Sequence, residues 1–129
     1  MPSHADYAIL ALCLWREDRS GGREGMIGVG CCVRNRVARA KSSFYEECVK
    51  PWQFSSLTAK GDPQLTVFPA ASDPLWSLAS AIAETIIDGT QADVTGGATN
   101  YYAASMTTAP SWAAKMTHTV DIGGHRFYK

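Results

Sequence analysis

The chain lacks a net charge, a long apolar run and any set of cysteines and histidines spaced for a metal. Twelve lysines and arginines cancel twelve aspartates and glutamates, so no global field draws the protein to nucleic acid or to anionic lipid. The longest apolar stretch, Tyr7 to Trp15, is too short to cross a bilayer. No basic run precedes it, so neither a secretion leader nor a membrane anchor is expected, and synthesis in the cytoplasm is. The four cysteines, at 13, 31, 32 and 48, follow no zinc spacing. Three of them lie in apolar helical surroundings, which favours buried thiols over a disulfide framework and a reducing compartment for synthesis. His118, Asp121 and His125 fit no common metal motif and lack a fourth ligand; neither a metal nor any other cofactor is expected.

What remains is an ordinary globular composition, 46% hydrophobic and 19% charged, in 129 residues. That length suits one domain over residues 1–129 with its own core. Ala5 to Trp15 reads as a helix buried on most sides, capped by Asp6 and broken after Glu17 by Asp18-Arg19-Ser20-Gly21-Gly22. A second helix is expected from Arg23 to about Ala40, with Met26, Val29 or Gly30, Val33 and Val37 on one face. Gly28 and Gly30 each cost about 1 kcal/mol inside a helix and imply close approach of another backbone, which we assign to the first helix. Arg34, Arg36, Arg39 and Lys41 crowd the end of this helix, where the macrodipole favours cations, and read as a solvated face.

Four prolines between Phe44 and Pro74 predict short turns and loops, the place to build a groove. Ser72 or Asp73 as cap, Pro74 at the first position and Gly89 beyond the end frame a third long helix. The end of the chain, Thr117 to Val120 and His125 to Lys129 around Gly123-Gly124, reads as a β-hairpin. The fold class is therefore α+β, mainly helical, with a short C-terminal β-hairpin.

Glu17 is the sharpest chemical candidate. A carboxyl where a buried helix meets a loop loses part of its hydration and keeps its proton toward neutrality, as a general acid must; Trp15 is expected to add to this. On spacing alone, a surface glutamate paired with Arg16 or Arg19 is the competing reading. Glu24 and Asp18 are candidate second carboxylates for a hydrolytic mechanism, against a helix-dipole role for Glu24 and a turn contact for Asp18. Asn35, Gln53, Thr95 and Thr99 offer the donors and acceptors that sugar hydroxyl and acetamido groups need, and Trp52, Tyr101, Tyr102 and Trp112 offer flat faces for pyranose rings. Phe54 and His125 complete the expected groove. Ser20, Ser55 and Ser105 lack a nucleophile-elbow setting and Cys48 an evident base.

Six short words in order carry a resemblance: Leu12 to Arg19, Glu24-Gly25-Met26, Val33 to Val37, Trp52-Gln53-Phe54-Ser55, Gly97 to Tyr102 and Ile122 to Tyr128. Together the chain resembles the cell wall hydrolase family of the spore cortex-lytic (SleB-like) type. The resemblance implies a small lysozyme-like domain acting on peptidoglycan glycan strands as a lytic transglycosylase, with Glu17 at the position of the catalytic acid and no second carboxylate required. Three departures stand out: Arg16 replaces a small residue, Asp18 an alanine, and the following loop carries Gly21-Gly22. With no leader and no separate wall-binding domain in the sequence, the resemblance points toward a phage endolysin, a monomer released to the wall by another factor. A water-using muramidase and a non-catalytic peptidoglycan-binding module are the alternatives.

Overall fold

The computed structural model describes every residue except Trp52. Five helices come first, α1 (His4–Asp18), α2 (Gly22–Ala40), α3 (Phe44–Val49), α4 (Ser55–Thr58) and α5 (Pro74–Asp88), followed by three strands, β1 (Asn100–Ala103), β2 (His118–Ile122) and β3 (His125–Tyr128). Single 3-10 turns at Pro63–Thr66 and Ser111–Lys115 interrupt the connections. The mainly helical α+β expectation holds, and the hairpin supplies two strands of a three-stranded sheet. β1 pairs antiparallel with β3 and β3 with β2, giving the order β1-β3-β2.

The start of α1 corrects the sequence reading. Ser3, not Asp6, is the N-cap, and Asp6 is the third helical residue that closes a capping box onto the Ser3 backbone N–H; two orphan amides are satisfied at once. The α5 frame stands as read. The Asp73 side chain accepts from the Leu75 amide at 2.8 Å, Pro74 opens the helix and Gly89 closes it at φ 82°, a left-handed geometry that glycine adopts without a Cβ clash.

The core lies among α1, α2 and α5, where Leu10, Leu14, Met26, Val29, Val33, Ile82 and Ile86 are almost wholly shielded. All four cysteines are buried thiols. The two helix glycines of α2 face partners other than the one expected. A Cβ on Gly28 would stand 2.8 Å from Phe127 Cζ and one on Gly30 2.9 Å from Ile86 Cγ1, so the close neighbours are β3 and α5, not α1. The basic end of α2 is a solvated face only in part: Arg39 and Lys41 are exposed, Arg34 is half-buried and Arg36 is buried. Arg36 is buried and donates to the Thr99 carbonyl, Arg34 reaches the Ile86 carbonyl at 3.3 Å, and Arg39 the Thr99 hydroxyl at 3.4 Å. Backbone carbonyls at the end of one element and the start of another need donors, and these guanidiniums supply them.

The sheet lies against α2 through one face. Side chains alternate along a strand and cross-strand partners share a face, so Tyr101, His125, Phe127, Val120 and Ile122 turn inward. Cys32 and Ala98 complete this small second cluster. Tyr102, Tyr128 and His118 turn outward. No helix among the described residues is long and apolar enough to cross a membrane.

Candidate active site

Glu17 sits in the last turn of α1, half-buried, and lines a cleft of about 570 Å³. The opposite wall is the segment after α3: Pro51, Gln53, Ser55, Thr58, Ala59 and Lys60. The Tyr101 hydroxyl, projecting from β1, donates to Glu17 Oε1 over 3.4 Å. The buried Ser56 hydroxyl lies beside the carboxyl without a well-formed hydrogen bond.

Burial pushes the Glu17 pKa up, the negative charge of Asp62 adds to that, and Ser56, Tyr101 and His125 pull the other way; the net direction is upward. A carboxyl in that state keeps its proton to higher pH than a solvated glutamate, which is the property a general acid needs. Neither flanking arginine neutralises it. Arg16 donates to the Val67, Ser56 and Leu65 carbonyls at 3.1, 3.0 and 3.3 Å, and Arg19 lies over the Trp15 ring and donates to Gln64. Arg16 is thus the tie that holds the far wall of the cleft to α1.

Trp15 does not help shield Glu17, contrary to the sequence reading. Two residues along a helix turn about 200°, and the Trp15 indole points to α5, where Nε1 donates to Asp73 Oδ2 at 3.0 Å.

The remaining candidates fall into four groups. Gln53 stands exposed on the cleft wall, and Tyr101 touches the acid. Phe54 is buried in the core beneath that wall, with the Arg36 guanidinium 5.5 Å from its ring centre; Trp52 lies outside the described residues. Asn35, Thr95 and Thr99 serve the loop before β1. Asn35 Nδ2 donates to Asp93, Thr95 and the Ala98 carbonyl at 3.1, 3.4 and 2.8 Å. Thr95 is fully buried, and its hydroxyl donates to Asp93 at 2.6 Å. Thr99 donates to Asn100 at 3.1 Å and accepts from Arg39. Partial burial of the exposed Asp93 works to raise its pKa, but the bonds from Thr95, Asn35 and the Gly97 amide outweigh it and hold the pKa down. Tyr102 and Trp112 pack with Tyr128 on the outer face of the sheet, away from the face that carries Tyr101.

Glu24 is exposed in the first turn of α2 and borders a different depression with Ile27, Val94 and Ile122. Asp18 is buried against His125, Oδ1 to Nε2 at 3.1 Å. The three residues weighed as a metal set are divided: His118 Nε2 lies 2.6 Å from Asp121 Oδ1, while His125 turns inward to Asp18. Sequence reasoning missed Ser56, Thr58, Lys60 and Asp62. The word Trp52 to Ser55 marked where this wall begins, but four-residue α4 has no periodicity to show which side chains face the cleft.

The profile of the cell wall hydrolase family matches residues 20–128. The chain belongs to that family. As a cell wall hydrolase it is an enzyme acting on peptidoglycan. The matched segment begins three residues after Glu17, so it takes in the cleft wall and the sheet but not the candidate acid. Comparison with the curated proteins finds no significant match. Two solved structures share the fold. The catalytic domain of the germination-specific lytic transglycosylase SleB from Bacillus anthracis superposes with a TM-score of 0.76 at 24% identity, covering 98% of this chain and 96% of that one. The SleB catalytic domain of Bacillus cereus gives 0.76 at 23% identity, covering 100% and 93%. These likenesses include α1 and its terminal turn, and they are likenesses of fold.

Proposed function

We propose that this cell wall hydrolase is a lytic transglycosylase that cleaves the glycan strand between N-acetylmuramic acid and N-acetylglucosamine, with Glu17 as its one catalytic carboxyl. The carrying observation is the charge inventory of the cleft: among its described lining residues, Glu17 is the sole carboxylate. Hydrolysis with inversion or through a covalent intermediate needs two carboxyls facing each other across the sugar. Here Asp18 is buried toward His125, Glu24 borders another depression, and Asp62 Oδ1 is engaged by the Gln64 amide. The Bacillus anthracis neighbour is a lytic transglycosylase, and its shared fold supports the same chemistry.

In the proposed reaction, protonated Glu17 gives its proton to the glycosidic oxygen as the bond to the muramyl anomeric carbon breaks. The resulting carboxylate takes the proton of the same sugar's primary hydroxyl, whose oxygen closes on the anomeric carbon. The products are an anhydromuramyl end and a free N-acetylglucosamine hydroxyl, and the acid is restored without water. Tyr101 stabilises the carboxylate between the two proton transfers, and Gln53 meets the acetamido group from the opposite wall.

Mass analysis of muropeptides released from unmodified peptidoglycan tests this. Anhydromuramyl ends are expected. Products heavier by one water, with reducing ends, would make the enzyme a muramidase, and binding without products would make it a wall-binding module.

A further inference from the structure

Asp18 follows the acid by one residue, and the helix turns its side chain away from the cleft into the joint between α1, α2 and the β2–β3 turn. It is 2% exposed. Its Oδ1 lies 3.1 Å from His125 Nε2, off the axis of an N–H bond, and its Oδ2 has no hydrogen-bond partner among the described residues. The joint is shaped around this carboxylate: a Cβ on Gly21 or on Gly25 would overlap it, and Gly123, at φ 56°, packs on the Gly25 backbone. On its other side the His125 ring meets Tyr101 edge-on, with centroids 4.8 Å apart and planes at 65°. Tyr101 in turn donates to Glu17. A buried carboxylate with an unused oxygen is costly unless a charge answers it, and His125 is the neighbour able to do so.

We propose that Asp18 and His125 form a buried positioning pair that fixes the Tyr101 ring and, through its hydroxyl, the Glu17 carboxyl in the orientation that cleavage requires. This rests on Glu17 being the acid. The groups facing Glu17 are Cys13 on its own helix, Ser56 of α4, Lys60 on the opposite cleft wall, Asp62 before the 3-10 turn, Tyr101 of β1 and His125 of β3. Lys60 and His125 can carry positive charge, and of the two it is His125 that packs on Tyr101 and whose charge lowers the Glu17 pKa. The pair therefore acts on the acid by geometry through Tyr101 and, when His125 is protonated, by its positive charge.

The test is a kinetic cycle of Asp18→Asn, His125→Gln and the double variant on purified peptidoglycan, with Glu17→Gln alongside and thermal melts confirming that each is folded at the assay temperature. Each single variant is expected to lose about tenfold in kcat with KM within about twofold, and the double to be no worse than the poorer single, as for residues that act as a unit. His125→Gln also moves the alkaline limb of the pH profile upward, because the imidazolium that lowers the Glu17 pKa is gone. Losses that multiply, a change confined to KM, or an unmoved alkaline limb would overturn the pair. Should Asp18→Asn not fold, a cycle of His125→Gln with Tyr101→Phe decides by the same criterion. If Glu17→Gln still cleaves, the acid assignment fails; if it is inactive while the Asp18 and His125 losses multiply, the pair alone fails.

Discussion

At the scale of the residue, the proposed chemistry rests on one carboxyl, Glu17, held half out of water. Because folding raises the Glu17 pKa above the ordinary 4.5, the folded protein binds that proton more tightly than the unfolded chain does. Stability tied to this group is therefore present at low pH and lost as pH rises from the ordinary glutamate range through the raised value. Glu17→Gln removes the dependence, so the variant should melt above the parent at pH 7 to 8 and no higher than it near pH 4, read by thermal unfolding across pH. Tyr101 has a second measurable effect. Its hydroxyl steadies the carboxylate, so Tyr101→Phe should lower kcat and move the alkaline limb of kcat/KM to higher pH; an unmoved limb would mean the 3.4 Å contact carries no weight.

Glu17 was readable as a candidate acid because its position, the end of an apolar helix before a glycine-bearing break, is a local property. The neighbours that set its pKa come from α4, β1 and β3, at sequence distances up to about a hundred residues, and spacing carries no trace of them. The same limit explains Arg16 and Arg36. In the sequence Arg16 reads as a possible partner of Glu17 and Arg36 as part of a solvated face, and each proves to be a buried donor to carbonyls of distant segments.

At the scale of the element, legibility followed punctuation. α5 was readable almost to the residue because Asp73, Pro74 and Gly89 mark both ends. α1 was readable in extent but not in cap, since Ser3 and Asp6 are both acceptable caps and only the capping box distinguishes them. β1 was not readable: Asn100–Ala103 has four residues, two of them adjacent tyrosines, and no alternation of apolar and polar side chains. It becomes a strand because β3 has an open edge and Arg36 and Asn35 fix the chain just before it. Two substitutions measure these joints. Gly28→Ala places a methyl against the fully buried Phe127 ring and should cost about 1–3 kcal/mol by urea unfolding, loosening the sheet on which Tyr101 and His125 are carried. Asp73→Ala removes both the α5 cap and the acceptor of the Trp15 indole, for about 1–3 kcal/mol together, with little effect on kcat because neither contact reaches the cleft.

At the scale of the whole molecule, α1, α2 and α5 share the main core and the small sheet closes over the end of α1. The cleft forms between that end and the wall that Arg16 ties down. The arrangement places the proposed acid from the first helix, its tyrosine from the sheet and the exposed Gln53 from the middle of the chain at one opening, with the outer aromatic cluster of Tyr102, Trp112 and Tyr128 on the far face. The six sequence words that carry the family resemblance are scattered along the chain because the fold gathers its site from both ends and the centre. Most of their residues prove to be the fold's internal fastenings rather than its cleft lining.

The central claim is that Glu17 performs the cleavage, and its most direct test is release of soluble muropeptides from purified peptidoglycan by wild type and by Glu17→Gln, with folding of both confirmed by thermal melt. Wild type should solubilise the wall, and the variant should fall by about 10²–10⁴-fold while melting at least as high at neutral pH. A folded Glu17→Gln enzyme that releases muropeptides at the wild-type rate would contradict the account.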